Sequence, residues 1–308
     1  MNMTFDSQPA TAVTRTRRPF RISADTLSMW KRIPLFLALL ICSLAVYMFG
    51  PDYYPLFITN GNTLYAAILT GVFLISALSF KRSERLKQYW GITYALFVAS
   101  AVNLICDLFA GYNTQFVELF GITSDPNRTD ALAKIYGTLL VVIPILVLTL
   151  VSGADLKSLY LKIGNQHRWW GLSIGALILF NFFTSVLIFF GTGYTPVKLG
   201  SAVLWGLVFS FSNSILEELW IRGLVMKKLL PLLGAGGTVL LTSIAFASAH
   251  YLSVAYFPPT VVPIFVVNTF TLGLACGILM LKTDSIWGAY LIHAAADVFL
   301  FIATLAAR

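Results

Sequence analysis

Charge is what this chain has least of. Only 11% of its 308 residues are Asp, Glu, Lys or Arg, less than half the ~25% of an ordinary soluble domain. So little polar surface cannot clothe a water-exposed fold, and a soluble globular protein is excluded. Cysteine is equally sparse: Cys42, Cys106 and Cys276 lie far apart inside apolar runs. That excludes a disulfide framework or a metal knuckle and leaves them as small hydrophobes. There is no internal repeat and no low-complexity tract. The first 30 residues are polar and arginine-rich. They lack the apolar core and small-residue site of a cleaved signal peptide, so none is expected.

What the chain has in quantity is long apolar sequence. Runs fall at 33–50, 62–80, 89–111, 135–153, 169–191, 200–224, 237–256, 260–281 and 285–305. Each is long enough, or nearly so, to cross ~30 Å of hydrocarbon. The expectation is an all-α polytopic transmembrane helical bundle of nine spans, with eight as the rival count. Placing the spans puts 17 of the 21 Lys and Arg on alternate connections and four on the others. The positive-inside rule then sets the N-terminus in the cytoplasm. The net charge of +8 is thereby topological, and no nucleic-acid partner is expected. The compact chain and short connections suit a multi-pass protein of a bacterial plasma membrane.

Three parts are expected: a basic cytoplasmic tail (1–32) held near anionic lipid, N-terminal transmembrane helices (33–191), and a chemically distinct module (199–305). The one long polar connection, 112–134, should lie outside. Asp107 stands alone near a helix end, where an aspartate caps or faces water. The module at 199–305 holds nearly all the remaining intramembrane polarity. Ser214-Ile-Leu-Glu-Glu-Leu-Trp-Ile-Arg-Gly223 carries Glu217, Glu218 and Arg222, and each such group costs roughly 2.5–3.5 kcal/mol at bilayer depth. On an α-helix Glu217 and Glu218 point in different directions, while Glu218 and Arg222, at i and i+4, share a face and can pair. Glu217 is then left as the free carboxylate.

Two of the three histidines follow in apolar segments. Phe246-Ala-Ser-Ala-His250 sets Phe246 and His250 at i and i+4. His293-Ala-Ala-Ala-Asp297 places Asp297 where it could fix the imidazole tautomer of His293. A glutamate, two histidines and an aspartate suit the activation of water. In one version Glu217 and His250 polarise a water that attacks a carbonyl, with no cofactor. In the other, Glu217, His250 and His293 serve as ligands for divalent zinc. There is no His-Glu-x-x-His, no Gly-x-Ser-x-Gly and no catalytic Asp pair, so zincin, serine-hydrolase and presenilin-like chemistry are not indicated.

The ordered trio Glu217-Glu218-x-x-x-Arg222, Phe246-x-x-x-His250 and His293-x-x-x-Asp297 resembles the three motifs of the CAAX-processing type II protease and bacteriocin-processing (CPBP, or Abi) family. Arg222-Gly223, the glycine-spaced Phe270-x-x-Gly273-x-x-x-Gly277 and Thr283-x-Ser285-Ile286-Trp287 extend the likeness over about 200–300. The resemblance implies a glutamate-dependent intramembrane endopeptidase. In it Glu217 would be the base, His250 its partner, His293 and residue 297 the oxyanion donors, and Glu218, Arg222 and Phe246 the support. It also implies a membrane protein or lipidated peptide as substrate. The family often carries Asn where this chain has Asp297, and an ionised Asp cannot donate. Orientation of His293 is therefore the role expected of Asp297. Gly273 and Gly277 should let helices approach closely and leave a cavity. The alternatives are a non-catalytic membrane-binding or immunity protein of the same family, and a proton-coupled transporter.

Overall fold

The computed structural model describes residues 29–50, 61–121, 124–191, 199–251, 253 and 257–306. Most of the basic tail, the connection 51–60 and Lys198 lie outside them. The described residues form helices without strands: α1 (Met29–Tyr47), α2 (Gly61–Arg82), α3 (Trp90–Phe109), α4 (Asn113–Glu118), α5 (Pro126–Val151), α6 (Gln166–Gly191), α7 (Leu199–Glu217), a π-turn (Glu218–Gly223), α8 (Met226–Ala249), α9 (Val262–Thr283) and α10 (Trp287–Ala306). Among the described residues, the nine long helices overlie the nine apolar runs, and five of them meet the length and hydropathy needed to cross a membrane. The chain is an all-α membrane bundle.

The sequence pattern explains which faces go where. On α2, Leu64, Ile68, Val72, Ile75 and Leu78 are all exposed. Their spacing of three and four draws one apolar stripe along the helix, as a lipid-facing surface requires. α7 occupies the centre of the second half, packed between α5 and α10, while α8 packs on α9 and on α1. One continuous core runs from Leu39 to Ala296, so helices from both halves build the wall around α7. Trp220 shows the join: its Nε1 donates to Ala99 O at 3.3 Å, and Tyr47 Oη donates to Trp220 O at 3.1 Å.

Three expectations change. The polar connection 112–134 is largely helical, because Asp125 caps α5 by accepting from Asn127 N at 3.0 Å with Pro126 at the first helical position. That is a favoured start for a helix, and it begins α5 nine residues before the apolar run. The run 237–256 ends early as a helix: α8 stops at Ala249 and His250 takes the cap position. α8 is also broken at Gly234, whose φ of 71° lies in the left-handed region open to glycine. Asp107 does not face water unpaired; it accepts a hydrogen bond from Thr63 Oγ1 across the α2–α3 contact.

The glycines of α9 do permit close approach, but the space is filled. A Cβ at Gly273 would sit 3.0 Å from Ser243 Cα, and one at Gly277 would sit 3.3 Å from Val239 Cγ1. The expected cavity is therefore not at these glycines; α8 occupies it. Gly273→Ala should destabilise the protein by about 1–3 kcal/mol through overpacking against backbone. Gly71→Ala, on an open face of α2 with nothing within 4 Å, should be neutral or slightly stabilising. Thermal unfolding in detergent compares the two, and equal midpoints would remove the packing argument.

Candidate functional site

The site is assembled where α7 leaves regular geometry. Residues 218–223 wind as a π-turn, so the motif Glu-Leu-Trp-Ile-Arg-Gly contains one more residue per turn than an α-helix would. Gly223 suits the place, since a Cβ there would meet Leu159 O at 3.1 Å. Glu218 and Arg222 are fully buried and form an ion pair. The Arg222 guanidinium also lies 4.3 Å above the Phe246 ring, a cation–π contact strengthened by the absence of water. Its Nε and Nη2 have no hydrogen-bond partner among the described residues.

Phe246 is the hub of the aromatic packing. Its ring meets His250 at 4.5 Å between centroids and His293 edge-on at 5.3 Å. Each imidazole is then fixed by one hydrogen bond. His250 Nδ1 lies 2.8 Å from Phe246 O. A carbonyl only accepts, so Nδ1 carries the hydrogen and Nε2 is the free nitrogen. His293 Nδ1 lies 2.7 Å from Glu218 Oε1. Glu218, paired with Arg222, is an acceptor, so His293 Nδ1 donates to it.

Both Nε2 atoms converge on Glu217. Its Oε2 stands 3.5 Å from His250 Nε2 and 3.7 Å from His293 Nε2. These gaps exceed a direct hydrogen bond and leave all three atoms within reach of one water placed beside them on the open side. Glu217 and His250 keep 17% and 20% of their side-chain surface exposed, whereas Glu218, Arg222 and His293 keep 1% or less. The site is open on the side of Glu217 and His250 and sealed behind.

Two geometric expectations are corrected here. Glu217 and Glu218 do not part ways; they approach opposite nitrogens of one imidazole. And the group that orients His293 is Glu218, not Asp297, whose Oδ1 is 3.6 Å from His293 Nε2. Asp297 is instead held by α7: its Oδ2 accepts from Asn213 Nδ2 at 2.9 Å and from Ser214 Oγ at 3.3 Å. Sequence reasoning missed Asn213 and Ser214. The available signal was the spacing Ser210, Asn213, Ser214, Glu217, which draws one polar stripe at i, i+3, i+4 and i+7 along an otherwise apolar helix. Cys276 is buried, with Sγ 3.7 Å from Ala289 O and beside the Glu218 carboxylate.

For zinc, the candidate ligands Glu217, His250 and His293 are close together, but no group of three or more His, Cys, Asp or Glu is disposed to hold a metal ion among the described residues. His293 Nδ1 is held by Glu218, which leaves Nε2 as its nitrogen facing Glu217.

The Thr283–Trp287 run clamps the site's outer rim. Ser285 Oγ donates to Lys162 O at 2.8 Å, Ile286 N donates to Tyr160 O at 3.0 Å, and Asn165 N donates to Thr283 O at 3.1 Å. Together they pin the α9–α10 turn, and with it the start of the His293 helix, to the connection before α6.

Fold and site thus define a polytopic membrane protein with a sequestered carboxylate–imidazole cluster. Residues 199–299, a third of the chain, match the family model described as Type II CAAX prenyl endopeptidase Rce1-like. The match supports the CPBP, or CAAX-processing, protease family for this module, a family that acts on prenylated, membrane-associated substrates. Comparison with curated proteins and with solved structures gives no match.

Proposed function

We propose that this protein is a glutamate-dependent intramembrane endopeptidase, in which Glu217 and His250 activate water against a peptide bond of a prenylated or membrane-embedded substrate. The observation that carries the reading is the convergence of Glu217 Oε2 and the Nε2 atoms of His250 and His293 at 3.5 and 3.7 Å, on the open side of the buried Glu218–Arg222 pair. A water between Glu217 and His250 can donate to both, which leaves an oxygen lone pair for the scissile carbonyl carbon. As the C–O bond forms, Glu217 takes the proton, and general-base assistance of this kind contributes ~10²–10⁴-fold. His293 stands among the carboxylates of Glu218, Glu217 and Asp297 and acts as the imidazolium: Nδ1–H donates to Glu218, and Nε2–H is directed toward the carbonyl oxygen where negative charge develops. Collapse breaks the C–N bond, and Glu217 returns the proton to the departing amine.

Asp297 acts at the edge of this arrangement. With Oδ2 held by Asn213 and Ser214, Oδ1 is the atom left facing the imidazole. An asparagine there keeps its carbonyl oxygen on Asn213 and turns its NH₂ toward the site, as a donor. Asp297→Asn should therefore retain cleavage within about tenfold of wild type. Complete loss would assign position 297 a role that needs a carboxylate.

The substrate class follows the family: a carboxyl-terminal CaaX segment bearing a prenyl-cysteine. Incubating the purified protein with farnesylated CaaX peptides and reading the products by mass tests the reading. Cleavage is expected. A folded protein that cleaves no such peptide, in detergent or in vesicles, would count against it.

A further inference from the structure

The mechanism above uses only the cytoplasm-proximal end of α7, yet the polar surface of that helix continues away from Glu217. α5 lies alongside it in parallel register, as four contacts show. Asp125 accepts from Ser201 Oγ, the Arg128 guanidinium stands 5.9 Å from the Trp205 ring, Lys134 Nζ stands 4.8 Å from the Phe209 ring, and Thr138 Oγ1 donates to Ser212 O at 3.0 Å. Lys134 is thus turned onto α7 rather than out to solvent at the end of the connection 112–134. It makes no salt bridge among the described residues, and its charge acts on the carboxylates of Glu217 and Asp297. Between Lys134 and Glu217 lies the stripe Ser210, Asn213, Ser214. Ser210 is fully buried, and its Oγ has no hydrogen-bond partner among the described residues.

We propose that Lys134 receives the terminal carboxylate of the peptide substrate, three or four residues beyond the bond placed at Glu217. This rests on the protease reading of the site. Phe209 and Glu217 are eight residues apart, about 12 Å along a helix at ~1.5 Å per residue. Three or four extended residues span about 10–14 Å. A polar stripe that ends in a single half-buried lysine fits a chain that enters end first. Asn213 and Ser214 are taken up by Asp297, so the unpartnered Ser210 hydroxyl is the group of the stripe left for the backbone, and the one charge the chain carries meets a cation. A lysine beside an aromatic face binds a carboxylate as a point charge, in surroundings of lower dielectric than water. The site would then select free carboxyl termini and disfavour both amidated ends and internal bonds.

The test uses farnesylated peptides of one sequence, prepared as the free acid and as the C-terminal amide. Their affinities are measured for the full-length Glu217→Gln protein in detergent, alone and combined with Lys134→Met or Lys134→Arg. The acid is expected to bind about tenfold or more tighter than the amide. Lys134→Met should bring the two within twofold, and Lys134→Arg should keep the preference. An unchanged ratio in Lys134→Met overturns the proposal. So does an equal loss for both peptides, which would make Lys134 a counter-charge to Glu217 and Asp297 alone, and so does no binding of either peptide. Cleavage by the Glu217-containing protein is read separately. Failure there with a Lys134-dependent acid preference would remove the protease reading and leave a carboxylate-binding site.

Discussion

Glu217→Gln is expected to lower peptide cleavage by about 10³-fold while leaving the fold intact. The size follows from losing the base that takes the proton of the attacking water and returns it to the amine, a contribution of ~10²–10⁴-fold. The fold should survive because glutamine is nearly isosteric and because Glu217 makes no direct hydrogen bond among the described residues: its contacts to His250 and His293 are 3.5 and 3.7 Å. Unlike Glu218, it is also partly exposed, and the buried groups that face it keep other carboxylates: His293 keeps Glu218, and Lys134 keeps Asp297. Cleavage rates and thermal midpoints of both proteins, measured in one detergent, separate chemistry from stability. A Glu217→Gln protein that cleaves within tenfold of wild type would remove Glu217 as the base. His250 or a bound metal would then have to supply the function.

Arg222→Met is expected to destabilise the protein by about 3–5 kcal/mol, the loss seen when one member of a buried ion pair is removed. Glu218 is left with 0% exposure and no cation at i+4, with His293 Nδ1 still bonded to it, and the Phe246 ring loses the guanidinium stacked 4.3 Å above it. The diagnostic is the second substitution. Glu218→Gln/Arg222→Met should unfold at a higher temperature than Arg222→Met alone, because no stranded charge remains. A double-mutant cycle over the four proteins isolates the pair from its surroundings. Additive effects would mean that the two residues act independently. Activity should fall in every variant of the set, since His293 takes its orientation from Glu218.

Much of this architecture is legible in the order of residues. Apolar run length marks the long helices because hydrocarbon leaves the backbone no alternative to internal hydrogen bonding. The cost of burying Glu217, Glu218 and Arg222 in such a segment points to the module that carries the chemistry, and two histidines in neighbouring runs point to its other walls. Less legible were the roles within the cluster. Spacing alone allowed His293 to pair with Asp297 at i+4. In the fold, the π-turn swings Glu218 onto His293 Nδ1, and Asn213 and Ser214 draw Asp297 toward α7. A π-turn adds one residue to one turn, a change too local to disturb an apolar periodicity read over a whole helix. Lys134 was invisible for a different reason: counted as a loop charge, it became part of the site only when Pro126 and Asp125 started α5 early and set it against Phe209.

Composition, run length and spacing are enough to mark a helical membrane protein with long spans, to place nearly all of its intramembrane polarity in 199–305, and to reveal three ordered motifs there that match a CAAX-protease module. Those properties are local to the chain. Only the tertiary structure decided which carboxylate holds which imidazole, which side of the cluster stays open, and how α5 and α7 lie in register. Such pairings bring together side chains up to 84 residues apart, as in Asn213 with Asp297. They are selected by helix packing and by the need to satisfy each buried polar group, neither of which has a signature at any one position.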